Sequence, residues 1–169
     1  MSELVVLFIP ECFADTTLLY NMLIPKQLLN HQKGITNVAK IMQNSNNLNK
    51  YYVGLIDNDK ITPRYFDEFD VVESYNNITL KKSKTLNHYI IVLTPAFEQW
   101  ILKCAEQAGI DATKFNLPDD PKELHKVTEK LAIGPNQNFT NFLKAIKRAN
   151  PPSIVALNQI ISFFWSPTY

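Results

Sequence analysis

Asp57 and Asp59 stand two positions apart at the end of an apolar run, Tyr52-Val53-Gly54-Leu55-Ile56, and Lys60 follows them. On an extended segment the side chains at i and i+2 point the same way, so these two carboxylates are placed to share one hard cation. Magnesium favours such oxygen ligands, usually one or two carboxylates with water and phosphate oxygens completing its shell. In an open α/β sheet, ligands bind in the crevice beyond the carboxyl ends of the strands, which is where these acids fall. Asp and Asn are also ordinary turn residues, and Asp57-Asn58-Asp59 taken alone reads equally well as a polar turn.

Further acids recur at equivalent places. Glu11 follows the apolar run Leu4 to Ile9 and Pro10, Asp15 comes four residues later at a helix start, and Glu98 lies in the first turn of a predicted helix. All five sit at or just beyond a strand end, or in the first turn of the next helix, and one edge of a parallel sheet could gather them. Phosphoryl transfer needs divalent metal to neutralise charge and orient an attacking oxygen, and a cluster of acids supplies ligands and a general base. Each also has a plain structural account. Asp15 suits a helix N-cap, Glu98 gains from the helix dipole, and Glu11 suits an exposed loop. Lys60, Lys81, Lys82 and Lys84 are candidate contacts to substrate phosphates. Lys144, Lys147 and Arg148 fall on one helical face, and any of these sets also serves as a solvated surface.

The elements that must position these residues read as α/β. Leu4–Ile9, Tyr52–Ile56 and Tyr89–Leu93 are short continuous apolar runs of the kind buried on both faces of a parallel sheet. Phe69–Ser74 and Ile78–Lys82 read as further strands, joined as a hairpin by Tyr75-Asn76-Asn77. Helices are expected over Thr16–Ile24 and Ile35–Met42, and from Thr94 and Pro95, as cap and first residue, to Gly109. Three more are expected over Pro121–Leu131, Phe139–Ala149 and Ser153–Phe164. The fold class is therefore α/β, a mainly parallel central sheet flanked by helices. One domain spans 1–169, with a core over about 3–110 and a helical C-terminal extension over about 111–169.

Composition narrows the partners. The 169 residues are 46% hydrophobic and 20% charged, ordinary for one globular domain, and the net charge of +1 gives no global pull on phosphate backbones or anionic membranes. Contact with nucleic acid must come from a local patch or a bound metal. No apolar run is long enough to span a bilayer and no signal-peptide pattern opens the chain, so a cytoplasmic protein is expected, with Cys12 and Cys104 as free thiols. His31, His88 and His125 are far apart and none stands at zinc-ligand spacing. With four glycines and no Gly-rich phosphate loop, nucleotide binding of that type is not expected. Cys12 beside Glu11 has no His near it in sequence, which favours a small core thiol over a nucleophile.

The order of the acids carries a resemblance. Apolar strand, Glu11, Asp15 and helix, then apolar strand and Asp57-x-Asp59, resembles the TOPRIM domain of topoisomerases, primases, a maturation ribonuclease and the OLD-family nucleases. Thr94-Pro95-Ala96-Phe97-Glu98-Gln99-Trp100 is similar to the Pro-x-Phe-Glu-x-Trp segment of small TOPRIM-like proteins from prokaryotic defence loci, including the RloB group. The resemblance covers roughly 4–108 and implies a compact parallel sheet flanked by helices. It implies Mg2+ or Mn2+ at Asp57 and Asp59, with Asp15 and Glu98 as second-site ligands or orienting groups and Glu11 as general acid, base or ligand. The implied activity is magnesium-dependent phosphodiester chemistry on DNA or RNA, as a nuclease. The implied alternative is a non-catalytic interaction module acting with a partner ATPase. Cys12 stands where the family usually has Gly, and a positive φ there would be strained by its Cβ. The 169 residues do not include the large companion domains of topoisomerases and primases, so neither of those activities is expected of them alone.

Overall fold

Alternation along the central strands decides the architecture. In the computed structural model, which describes residues 5–58, 61–130 and 136–166, β1 (Val5–Pro10), β2 (Lys50–Asp57) and β5 (His88–Leu93) send successive side chains to opposite faces. Val6, Phe8, Val53, Leu55, Tyr89, Ile91 and Leu93 enter the larger core. Ile9, Tyr52, Ile56, Ile90 and Val92 enter a smaller core on the other face. Both faces are covered, which explains why these three strands read as continuous apolar runs.

The sheet order is β1-β2-β5-β4-β3. β1 pairs with β2 and β2 with β5 in parallel, whereas β4 (Ile78–Lys82) pairs antiparallel with both β5 and β3 (Asp70–Tyr75). The expected mainly parallel sheet is therefore mixed, with two parallel and two antiparallel pairings. The reason is the hairpin: Asn76 and Asn77 both adopt positive φ, 49° and 61°, the turn that suits the twist of two antiparallel strands. That hairpin supplies two of the five strands, and β3 at its outer edge is exposed along its whole length.

Helices α1 (Phe13–Asn21), α3 (Phe97–Ala108), α5 (Gln137–Ala149) and α6 (Pro152–Phe164) contribute to the larger core. α4 (Pro121–Thr128) adds Leu124. The helices beyond residue 111 thus share their core with the sheet: Phe139, Phe142, Ile146, Leu157 and Ile161 are buried together with Phe8 and Trp100. On the opposite face α2 (Ile35–Gln43) lies close to the strands. Gly54 permits this approach, because a Cβ there would meet Val38 Cγ1 at 3.0 Å and Ile90 Cγ2 at 3.2 Å. The tie on that face is polar. Buried His88 bonds Ser45 O through Nε2 at 2.7 Å and the Tyr65 hydroxyl through Nδ1, and burial lowers its basicity.

Two helix starts differ from expectation. α3 begins at Phe97 with Ala96 as an N-cap that makes no side-chain bond, not at Thr94. Thr94 N–H still donates to Asn77 O at 3.0 Å, so the chain is in the sheet ladder at that point. α1 begins at Phe13 and its N-cap is Cys12, which moves Asp15 from the cap into the first turn. Among the described residues, no helix is long and apolar enough to cross a membrane.

Candidate metal centre

Backbone bonds on both flanks fix the end of β1. Glu11 N–H donates to Leu55 O at 3.0 Å, one step beyond the strand, and Glu11 O accepts from Gly34 N–H at 3.0 Å. Asn30 N–H and Gln32 N–H donate to Phe8 O and Pro10 O, so the segment before α2 closes the outer edge of β1. On the other side Asn58 N–H donates to Leu93 O at 3.1 Å, which holds the end of β2 in register. By the two-residue period, Asp57 faces the same side as Val53 and Leu55, the side of α1.

The first turn of α1 completes the group. Cys12 Sγ accepts from Asp15 N–H at 3.5 Å, and its S–H donates to Asp15 Oδ2 at 3.2 Å, a reciprocal cap that aims the carboxylate back towards the strand ends. The Thr16 hydroxyl donates to Cys12 O at 2.8 Å and also bonds His31 Nδ1 at 2.9 Å, while the His31 ring stacks on Phe13. The turn is thereby anchored to the segment that borders β1.

Glu11, Asp15 and Asp57 each offer one carboxylate oxygen, and these atoms all lie within 4.8 Å of one another. The three residues are 1%, 0% and 8% exposed. Glu11 Oε2 accepts from Asp57 N–H at 3.0 Å, which ties the two strand ends together. Asp15 Oδ1 is buried and has no hydrogen-bond partner among the described residues. Burial, then the charges of Asp57, Glu11 and Glu98, hold the Asp15 carboxyl well above its ordinary range, although the Cys12 thiol works the other way. Burial and the charges of Asp15 and Asp57 likewise push the Cys12 thiol up, so it remains a protonated donor and not a nucleophile.

This donor set fits a hard divalent cation: three carboxylates, all oxygen ligands, one with a buried oxygen unpartnered among the described residues, at the N-terminal end of a helix. A coarse statement follows directly: the buried acidic trio can bind a metal ion.

Of the acids expected to converge, Glu11, Asp15 and Asp57 do so. Asp59 and Lys60 lie outside the described residues. Glu98 is not in the trio. Its Oε1 accepts from the Thr128 hydroxyl at 2.6 Å and meets His125 Nδ1 at 3.1 Å, both from α4. From the sequence, His125 is weighed only as a zinc ligand and Thr128 is not considered; the signal for their role is His125, Thr128 and Glu129 at i, i+3 and i+4 on one helix face. Lys81, Lys82 and Lys84 are not near the trio. Lys82 pairs with Tyr89, four positions before the Leu93 that pairs with Asp57, so about 13 Å of strand separates the two levels. The reversal of direction in the hairpin carries them to the opposite end of the sheet, where Lys82 lies over the Tyr89 ring and Lys84 pairs with Asp70 at 3.8 Å.

Cys12 does not strain its turn. Its φ is −146°, ordinary extended backbone, so the position that is glycine in the resembled family needs none here. Both cysteines are free thiols. No protein-family model matches the chain, and no curated protein and no solved structure matches it either.

Proposed function

We propose that this chain is a TOPRIM-like, magnesium- or manganese-dependent protein that cleaves phosphodiester bonds in nucleic acid. The single observation that carries the reading is the buried trio of Glu11, Asp15 and Asp57, with Asp15 Oδ1 left unpartnered among the described residues. A buried carboxylate oxygen without a partner, as at Asp15 Oδ1, is costly, and a divalent ion is the simplest group that offsets it. When bound, it supplies charge neutralisation at a scissile phosphate and an acidified water. Asp57 is the most exposed of the three, at 8%, so a substrate phosphate would reach the trio through it. Glu11, held by Asp57 N–H, keeps a carboxylate oriented at that point as proton acceptor or ligand. Asp15 is positioned by Cys12 and contributes ligand charge.

The near-complete burial of Glu11 and Asp15 favours a second reading, in which the same cation only locks β1, β2 and α1 and the domain works through a partner such as an ATPase. Two measurements separate these. Under either reading the melting temperature rises with Mg2+ or Mn2+, by the equivalent of about 2.7 kcal/mol at a hundred-fold excess over Kd. No rise at saturating metal defeats both. Incubation with labelled single- and double-stranded DNA and RNA in Mn2+ then gives cleavage that Asp57→Ala lacks under the first reading, and none under the second.

A further inference from the structure

Lys144, Lys147 and Arg148 form a face of α5 that the trio does not use, and α5 packs against α1. Between the two helices lies a groove of about 590 Å³, lined by these three cations and by Tyr20 and Leu23. Lys26 joins them, with Nζ 5.2 Å from the centre of the Tyr20 ring. No carboxylate lines the groove, and none of the four cations is ion-paired among the described residues. In a chain of net charge +1 this is a strong local concentration of one sign. Lys147 and Arg148 also complement the C-terminal dipole of α5, which accounts for two of the charges but not for Lys144 or Lys26.

The apolar part of the groove is equally specific. Tyr20 is 50% exposed and Leu23 59% exposed, side by side among the cations. Leu23 follows the end of α1 at φ 67°, the left-handed position that glycine normally takes. Ile24 N–H donates to Leu19 O and Leu23 N–H to Tyr20 O, so this is a Schellman ending that carries an exposed leucine. Cations that track a backbone, beside an exposed aromatic ring on which a base can stack, are the two components of single-strand recognition.

We propose that the α1–α5 groove binds single-stranded nucleic acid, with phosphates on Lys26, Lys144, Lys147 and Arg148 and a base on Tyr20. The groove lies at the C-terminal end of α1 and the acidic trio at its N-terminal end, about 13 Å apart along the helix axis. A strand held there is thus anchored one helix length from the trio. The proposal rests on the cleavage reading only for what then happens to the strand.

Fluorescence anisotropy of the full chain with labelled oligothymidylate and oligouridylate, in EDTA throughout, tests binding alone. Failure of the cation reading leaves that measurement untouched. The triple variant Lys144→Glu, Lys147→Glu, Arg148→Glu is expected to weaken binding about ten-fold or more and to flatten the slope of log K against log salt by about 0.7 per lost contact. Tyr20→Ala should weaken it about five-fold or more with the salt slope unchanged. Leu23→Gly relieves the left-handed leucine, so its melting temperature holds or rises while affinity falls. Equal affinity and salt slope in the triple variant overturn the proposal. So does displacement by inorganic polyphosphate as effective as by oligonucleotide, together with full affinity in Tyr20→Ala, which would make the groove a general anion patch.

Discussion

Two buried carboxylate sites lie close enough to feel each other's charge, and they solve the cost of burial differently. Around Glu98 two donors converge on one oxygen: Thr128 at 2.6 Å and His125 at 3.1 Å bond Oε1, and His125 Nε2 reaches Glu129 Oε1 at 2.9 Å. Around Asp15 the neighbours are carboxylates, and among the described residues the donor to its side chain is the Cys12 thiol, at 3.2 Å from Oδ2. One site is neutralised by the protein. The other keeps one buried carboxylate oxygen, Asp15 Oδ1, without a partner among the described residues, and it can bind a metal ion, which would offset the cost of that burial. The contrast distinguishes the two acids better than sequence position does, since Asp57 ends β2 and Glu98 lies in the first turn of α3, both places where the sequence reading gathers the acids.

The largest effect that tests the contrast is at the trio. Asp57→Ala is expected to remove the metal-induced rise in melting temperature altogether and, with it, cleavage; an unchanged rise would mean that the cation sits elsewhere. Next comes Asp15→Asn. Because the folded state holds the Asp15 proton above the ordinary carboxyl range, the native protein binds more protons than the unfolded chain there, and without metal its stability falls as pH rises above about 4. Asp15→Asn should flatten that fall, raise the metal-free melting temperature at neutral pH and weaken the response to Mg2+. A metal-free melting temperature lowered by the substitution would show that the carboxylate is satisfied without a cation. For the wild-type protein with Mg2+ present the slope reverses, since protons compete with the ion for the same oxygens.

The sequence made much of this site visible. The runs ending at Ile9, Ile56 and Leu93 are legible as strands because both faces of the sheet are covered, and their ends then locate Glu11 and Asp57. The Asn76-Asn77 turn is legible for a local reason, as two residues that tolerate positive φ. The rest depends on distant partners. Nothing local to Lys81 reveals that β4 runs against β5, so its end of the sheet cannot be read from the lysines themselves. Asp15 reads as a cap because Cys12 is a poor cap by type, yet burial beside Asp15 makes the thiol serve as one. Glu98 reads as a member of the acidic group because its true partners lie on a helix nearly thirty residues further along the chain, brought to it only by the packing of α3 on α4.

At the satisfied site the expected effects are smaller and of another kind. Glu98→Ala leaves the buried Thr128 hydroxyl with only His125 O as partner, at 3.0 Å, and should cost about 1–3 kcal/mol while leaving the metal response intact. A lost metal response in that variant would place Glu98 among the ligands and erase the distinction drawn between the two sites. Chemical denaturation with and without Mg2+ reads both outcomes.

The smallest effect belongs to His125. Partial burial alone would lower its basicity, but the hydrogen bond and charge of Glu98, with those of Glu129, raise it above the ordinary value. A folded state that binds the proton more tightly gains stability that is fully present below the ordinary histidine range, near pH 6.5, and is lost as pH rises through the higher folded value. His125→Ala should therefore lower stability by under about 1 kcal/mol at pH 6, since the side chain is 55% exposed and solvent screens the pair. The difference should vanish at higher pH, and added salt should shrink it further. Urea melts of the two proteins across that range check the sign: a penalty that grows with pH would mean that His125 serves the fold as a neutral donor to Glu98, and that the Glu98 site is satisfied by hydrogen bonding without any charge.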